Sequence, residues 1–303
     1  MTHYTIAKLY EVISCIREKK DNAEVTMINT FYGNGRLMDD WRPLLGILHL
    51  GGSGDPFAQR IASLCLAYIL LPGCQSQVTN KQQNVIEYAP VKAALNALLS
   101  WISSQLQSSS GSNVSLVTPT LTALMNCPEA RFIFSNSGGI GYISRHLRSK
   151  NQSSNNSPMK KPSGASAQQI YEMSFCIWAM TYDCNSSSTI RTTFARDNAV
   201  QSLCDLVSSA PREKIVRVAL SALRNLAECK SHDTEKRSDK KIIDGSMFLG
   251  EMINCGLMKS IDLLKERQWS DPDIIDGKII LNSLVMILVC ALTLFLKVNS
   301  FFS

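Results

Sequence analysis

The chain has 303 residues, 45% of them hydrophobic, which is enough for a long array or two domains with a substantial core. Only 18% are charged, and the net charge of +6 comes from scattered Lys and Arg. No long basic run marks a nucleic-acid surface.

Tyr4 to Ile16 carries apolar residues at helical spacing, beginning almost at the first residue. That suits a chain that starts inside an array. Gly33-Asn34-Gly35 signals a turn, and Trp41 to Leu50 predicts a short helix after Pro43. The Gly51–Gly54 stretch breaks the chain. Asp55 and Pro56 then suit a helix start, because a carboxylate can cap the free amides and proline needs no donor at the first helical position. Phe57 to Leu71 predicts a helix that stops at Pro72-Gly73. Val91 to Leu106 predicts another, followed by a linker over Ser108 to Asn113. Leu116 to Met125 is apolar and interrupted by Pro119.

A short helix around Arg131-Phe-Ile-Phe134, a turn over Ser135 to Gly139 and a helix from Ile140 come next. Residues 149–166, rich in Ser, Asn, Lys and Pro, read as a disordered insertion. Ile170 to Tyr182 is a strongly apolar helix. Thr189 to Val207 repeats the short-helix, turn, helix layout, with its turn at Arg196–Asn198.

Residues 214–229 hold two apolar stripes: Ile215, Ala219, Ala222, Leu226 and Val216, Leu220, Leu223, Ala227. Both step by four, three, four, so they form one wide face that needs neighbours on two sides. Pro211 suits the start of this helix. Arg217 and Arg224 share its polar stripe. With Glu213 and Glu228 nearby they read first as a solvated face, and second as a candidate partner-binding surface. Residues 230–241 form a charged loop, and Phe248 to Leu264 repeats the layout once more.

The repetition is visible at Arg131-Phe-Ile-Phe134 with Ile140, Arg191-Thr-Thr-Phe194 with Val200, and Met252-Ile-Asn-Cys255 with Leu257. Less its polar insertions, the period is about forty-odd residues, the armadillo/HEAT range. Absence of comparable strand signals completes the expectation: an all-α, armadillo/HEAT-like α-solenoid superhelix over residues 1–276, with a divergent apolar tail over 277–303.

Chemistry is sparse. His3, His49, His146 and His232 lie in different predicted elements, and no phosphate loop, metal spacing or nucleophile elbow occurs. Asp39-Asp40 and the Asp271/Asp273 pair sit at predicted helix starts, where capping is the simplest role. The ten cysteines form no CxxC pair and several lie in apolar helices, so they read as small core residues of a reduced, cytosolic protein. The first 20 residues lack a signal-peptide core, which makes the sequons at Asn113, Asn151, Asn155 and Asn185 meaningless. Trp41, Trp101, Trp178 and Trp269 read as packing residues. No catalytic residue, cofactor, metal or small-molecule ligand is expected.

The order of segments resembles the H-subunit family of the vacuolar-type proton ATPase (V-ATPase). The segments are Asp55-Pro-Phe-Ala-Gln-Arg-Ile-Ala62, Trp101 to Leu106, Glu129-Ala-Arg-Phe132 with Gly139-Ile140, Gln169 to Trp178, Glu213 to Leu226 and Trp269-Ser-Asp-Pro-Asp273. The most specific are the Tyr171-x-Met173-x-Phe175-x-Ile177-Trp178 block and the Glu213-Lys-Ile-x-Arg-Val218 block. The resemblance covers about residues 4 to 276. It implies helical armadillo-like repeats and a regulatory, non-catalytic subunit on the cytosolic face of vacuolar or other endomembranes. The implied partners are the peripheral stalk, the catalytic sector and the cytosolic part of the membrane-bound a subunit, with no nucleic acid. An unrelated armadillo adaptor is the alternative.

Two departures from the family are expected: an absent N-terminal portion, and a match that stops near Gly277, without the family's C-terminal domain. Ile279 to Leu296 is 18 residues without a charge, between Lys278 and Lys297. By length it is a candidate membrane span. The expectation favours a replaced C-terminus, forming one poorly packed helix, over an anchor.

Overall fold

The computed structural model describes residues 42–49, 55–79, 85–108, 111–148, 166–210, 212–229, 247–265, 267–277, 279–280 and 283. Among these there are helices and turns and no strand. The helices are α1 (Arg42–His49), α2 (Pro56–Thr79), α3 (Val85–Gln107), α4 (Gly111–Leu124), α5 (Pro128–Asn136) and α6 (Gly139–Arg148). They continue as α7 (Ala167–Thr181), α8 (Ser188–Arg196), α9 (Ala199–Ser209), α10 (Glu213–Ala227), α11 (Met247–Asn254) and α12 (Leu257–Lys265). A further helical turn covers 272–277. No helix of the described residues is long and apolar enough to cross a membrane.

Several expectations lie outside the described residues: the Tyr4–Ile16 helix, the Gly33–Gly35 turn, Asp39-Asp40 and Trp41, the 149–165 insertion, Pro211, the 230–241 loop, and the tail from 284 onward. So do His3, His232, Cys15 and Cys290.

Two compact units divide the chain, residues 1–133 and 134–303. In the first, α2 packs against α1, α3 and α4. Asp55 caps α2 through a carboxylate oxygen that accepts from the Phe57 amide at 3.0 Å. The helix does not stop at Pro72-Gly73 but runs to Thr79. Likewise α4 begins at Gly111, inside the expected linker, and passes through Pro119. Proline removes one donor from each ladder and disfavours the helix interior. Tertiary burial outweighs that cost. Leu66, Ala67 and Leu70 on α2, and Val117, Leu121 and Leu124 on α4, are at most 1% exposed. Between these helices the Ser63 and Thr120 hydroxyls meet at 2.8 Å, each satisfying a group that burial would otherwise penalise.

From Pro128 onward the elements repeat along the chain, α5 itself crossing from the first unit into the second. A short helix, a tight joint, a second helix and a longer third helix recur as α5–α6–α7 and α8–α9–α10, and α11 and α12 repeat the first two helices and their joint, followed by the helical turn at 272–277. Each joint needs one residue in the left-handed region: Gly138 at φ 82°, Asn198 at 54° and Gly256 at 75°. Glycine pays no Cβ penalty there, and asparagine tolerates it better than other residues. Four residues before each joint stands a large apolar side chain at 0% exposure: Phe134, Phe194 and Met252. The joints also correct the expected register. Leu257 follows Gly256 directly, so it matches Ala199 and Gly139, not Val200 and Ile140.

Asn198 gives a direct test of this geometry. Asn198→Gly should leave the melting temperature unchanged or raise it slightly. Asn198→Ala should cost about 1 kcal/mol, because alanine cannot reach the left-handed region cheaply. Urea unfolding of the two variants side by side measures the difference.

The wide apolar face of α10 is buried on all eight stripe positions, from Ile215 to Ala227. It packs against α7, α9 and α11, the neighbours on two sides that its width demands. Ser187 caps α8, accepting from the Ile190 amide at 3.3 Å. Ser166 and Gln169 form a reciprocal capping box at the start of α7. Cys127, Cys184 and Cys229 each stand three residues past a residue in the last turn of a third helix, donating back to Leu124, Thr181 and Leu226. All three thiols are buried. Burial pushes the Cys65 thiol up to about 12 and raises those of Cys184 and Cys204. Such thiols are packing groups and poor nucleophiles.

A candidate partner-binding surface

The third helices α7 and α10 lie side by side, joined where the Asn225 amide donates to the Thr181 hydroxyl at 2.8 Å. On α7, Ile170, Met173, Ser174, Ile177 and Thr181 are buried. Tyr171, Phe175, Trp178 and Tyr182, spaced by four, three and four, form a second stripe beside these, the first three partly buried and Tyr182 exposed. The rings touch in sequence. Phe175 and Trp178 are 5.4 Å apart and tilted by 53°, and Trp178 and Tyr182 are 5.2 Å apart and near perpendicular at 75°. These are the offset and edge-to-face arrangements that ring quadrupoles favour. Tyr182 is 56% exposed. The result is an aromatic ridge, partly wet, on a helix whose other face is core.

The outward face of α10 is polar. Arg217 reaches Asp271 at 3.1 Å and Asp273 at 3.6 Å, both through Nη1. Arg224 reaches Glu228 at 2.9 Å through Nε, four residues on. Glu213 does not pair with Arg217. It accepts from the amide and hydroxyl of Ser270, which hold its carboxyl below the usual range. Asp271 also caps the 272–277 turn, accepting from the Asp273 amide at 3.1 Å. Arg224 and Glu228 are both about half exposed, so their pair is worth well under about 1 kcal/mol. The segment from Arg267 to Gly277 is thus held on α10 by polar contacts at its rim. Below them Ile274 is fully buried, and Gly277 lies close enough to Leu220 that an added Cβ would come within 3.4 Å of it.

The arginines singled out in the sequence therefore stand on one face of one helix. The aromatic ridge beside them was legible as spacing, but Trp178 reads equally well as core until its neighbours are placed. Trp101 is buried at 5% exposure, and Trp269 is half-buried with its indole N–H on the Leu264 carbonyl at 2.8 Å. His49 and His146 stand on α1 and α6, in separate units. Among the described residues no group of His, Cys, Asp or Glu is arranged to hold a metal ion. What this surface offers is aromatic area, two guanidinium groups and amide hydrogen bonding, the composition of a protein-binding surface.

Residues 14–283 match the family model of the V-ATPase H subunit. Curated relatives include the V-type proton ATPase H subunit of Drosophila melanogaster, 25% identical over 234 residues, which are 77% of this chain and 41% of that protein. The corresponding protein of Dictyostelium discoideum is 26% identical over 231 residues, 76% of this chain and 42% of that protein. The chain thus spans about two fifths of the length of these relatives. Among solved structures, a computationally designed armadillo repeat protein for modular peptide recognition aligns with a TM-score of 0.55 at 11% identity, over 91% of this chain and 99% of its own. A designed armadillo repeat protein in complex with a (KR)4 peptide aligns at 0.54 and 12% identity, over 92% and 98%. At that identity the likeness concerns the fold alone, which is all-α and armadillo-like.

Proposed function

The chain belongs to the V-ATPase H-subunit family, and from that membership we propose that it is a non-catalytic, regulatory subunit of the V1 sector of a proton-transporting ATPase. The match over residues 14–283 is the observation that carries this reading. Its work is to bind other subunits and support the coupling of ATP hydrolysis to proton transport. The partners are the peripheral stalk, the catalytic sector and the cytosolic part of the membrane-bound a subunit, which place the chain on the cytosolic face of an endomembrane. The ridge on α7 and the arginine face of α10 support a binding role, since large aromatic and guanidinium groups dominate the energetics of protein interfaces.

Affinity purification of the tagged full chain from cells that express it tests the proposal. The expected result is recovery of peripheral-stalk and catalytic-sector subunits in fixed proportion. Recovery of neither, from cells in which the ATPase itself purifies intact, would sink the subunit reading.

A further inference from the structure

We propose that Ser270 is a phosphorylation site for a serine kinase that reads acidic residues, and that phosphate there loosens the segment 267–277 from α10. The proposal does not depend on the subunit reading. Recognition is written in the sequence. Asp271, Asp273 and Asp276 stand one, three and six residues after Ser270, and no other Ser or Thr of the chain has an acid at both the first and the third position after it. Acidic-directed kinases select their acceptors by such charge patterns. Ser202 has Asp205 three residues on, but it is 1% exposed and out of reach. Ser270 is exposed, and residues 267–271 are neither helix nor strand. A kinase cleft takes its substrate as irregular or extended chain, so only the local contact with α10 has to open. In the transfer the Ser270 hydroxyl oxygen bonds to the γ-phosphorus of ATP. The bond from that phosphorus to the bridging oxygen breaks, ADP leaves, and the hydroxyl proton passes to the kinase's base.

Geometry decides what the phosphate does. Glu213 holds Ser270 with both carboxylate oxygens, one accepting from the amide at 2.9 Å and the other from the hydroxyl. Phosphorylation removes the hydroxyl donor and sets a charge of about −1.5 to −2 against that carboxylate. Asp271 and Asp273 bring two more carboxylates, and they already occupy the guanidinium of Arg217. Arg267 is engaged with the Ser208 carbonyl and the Trp269 ring. Arg212 and Lys214 flank Glu213 in the sequence, but neither forms an ion pair among the described residues. Repulsion is therefore the larger effect. When Ser270 leaves Glu213, the same segment carries Asp271 and Asp273 away from Arg217. Ile274, fully buried beneath the rim, then meets water more often. The segment is a switch that frees the Arg217 end of α10.

The full chain, incubated with an acidic-directed kinase and ATP, tests both halves. Trypsin, cutting after Arg267 and Lys278, isolates residues 268–278, in which Ser270 carries the sole hydroxyl. Mass spectrometry should find one phosphate on that peptide. Its initial rate of formation should fall roughly tenfold or more in Asp273→Asn, with unchanged circular dichroism showing that the fold holds. No phosphate on the peptide, or a rate indifferent to Asp273→Asn, would overturn the assignment. Hydrogen–deuterium exchange reads the loosening: amides of 268–277 should exchange roughly tenfold faster in the phosphorylated chain. Ser270→Ala loses the donor without adding charge and sets the baseline. Ser270→Glu should exchange faster than Ser270→Ala, and adding Glu213→Gln to it should restore the Ser270→Ala rate. Exchange that slows on phosphorylation, as capture by Arg212, Lys214 or Arg217 would give, or a Ser270→Glu chain no faster than Ser270→Ala, would overturn the switch. The subunit reading is judged separately, by co-purification, and survives a failure here.

Discussion

Phe194→Ala lowers the stability of the second unit by roughly 3–5 kcal/mol, the range for truncating a fully buried phenylalanine. Phe194 is 0% exposed and stands four residues before the Asn198 joint. Its ring is wholly buried in the core of its repeat. Removing it deletes the transfer energy of the ring and leaves a cavity that a locked joint cannot close. In a unit of this size the expected fall in melting temperature is roughly 10 °C. Thr192→Ala, on the exposed side of the same helix, is the control and should stay within about 0.5 kcal/mol. Calorimetry of both variants reads the difference. A loss below about 1 kcal/mol for Phe194→Ala would mean that the core of this repeat is not packed as described.

Gly139→Ala has the second largest effect, through the opposite failure. A Cβ at Gly139 would lie 2.4 Å from a Phe134 ring carbon, with two more ring atoms at 2.5 Å. The ring is wholly buried and cannot swing aside. Overpacking of this kind costs about 1–3 kcal/mol, occasionally more. The glycine is needed here for space, whereas Gly138 beside it is needed for its φ of 82°. Phe134→Leu in the same chain should recover part of the loss, because a smaller side chain vacates the position the new methyl needs. A double-mutant cycle by urea unfolding measures the coupling. Additive losses would show that the two residues do not meet.

The sequence by itself determined the all-helical class, the repeat, and the core face of α10. All three follow from spacing along one helix, which is a local property. Ile215 to Ala227 could be assigned to the inside because their stripes are wider than one neighbour can cover. Two of the left-handed joints, Gly138 and Asn198, fell inside turns read from the sequence, because few residues accept that conformation, and the third, Gly256, came from the structure. Pro72 and Pro119 were misleading for the complementary reason. Proline reports the cost of a helix to the chain but not the burial of Leu70 or Leu121 that offsets it. Arg217 was legible as a polar position seven residues from Arg224, yet its carboxylate partners lie more than fifty residues away, at Asp271 and Asp273. The aromatic ridge had the same status. Tyr171, Phe175, Trp178 and Tyr182 form a stripe on any helix, and a stripe of that kind is core or surface according to what packs on it. Only the tertiary structure decided that Met173 and Ile177 are fully buried while Tyr171, Phe175 and Trp178 keep part of their surface and Tyr182 is exposed. Side-chain spacing is set by the backbone of a single helix, whereas exposure is set by the neighbours that the folded chain brings to it.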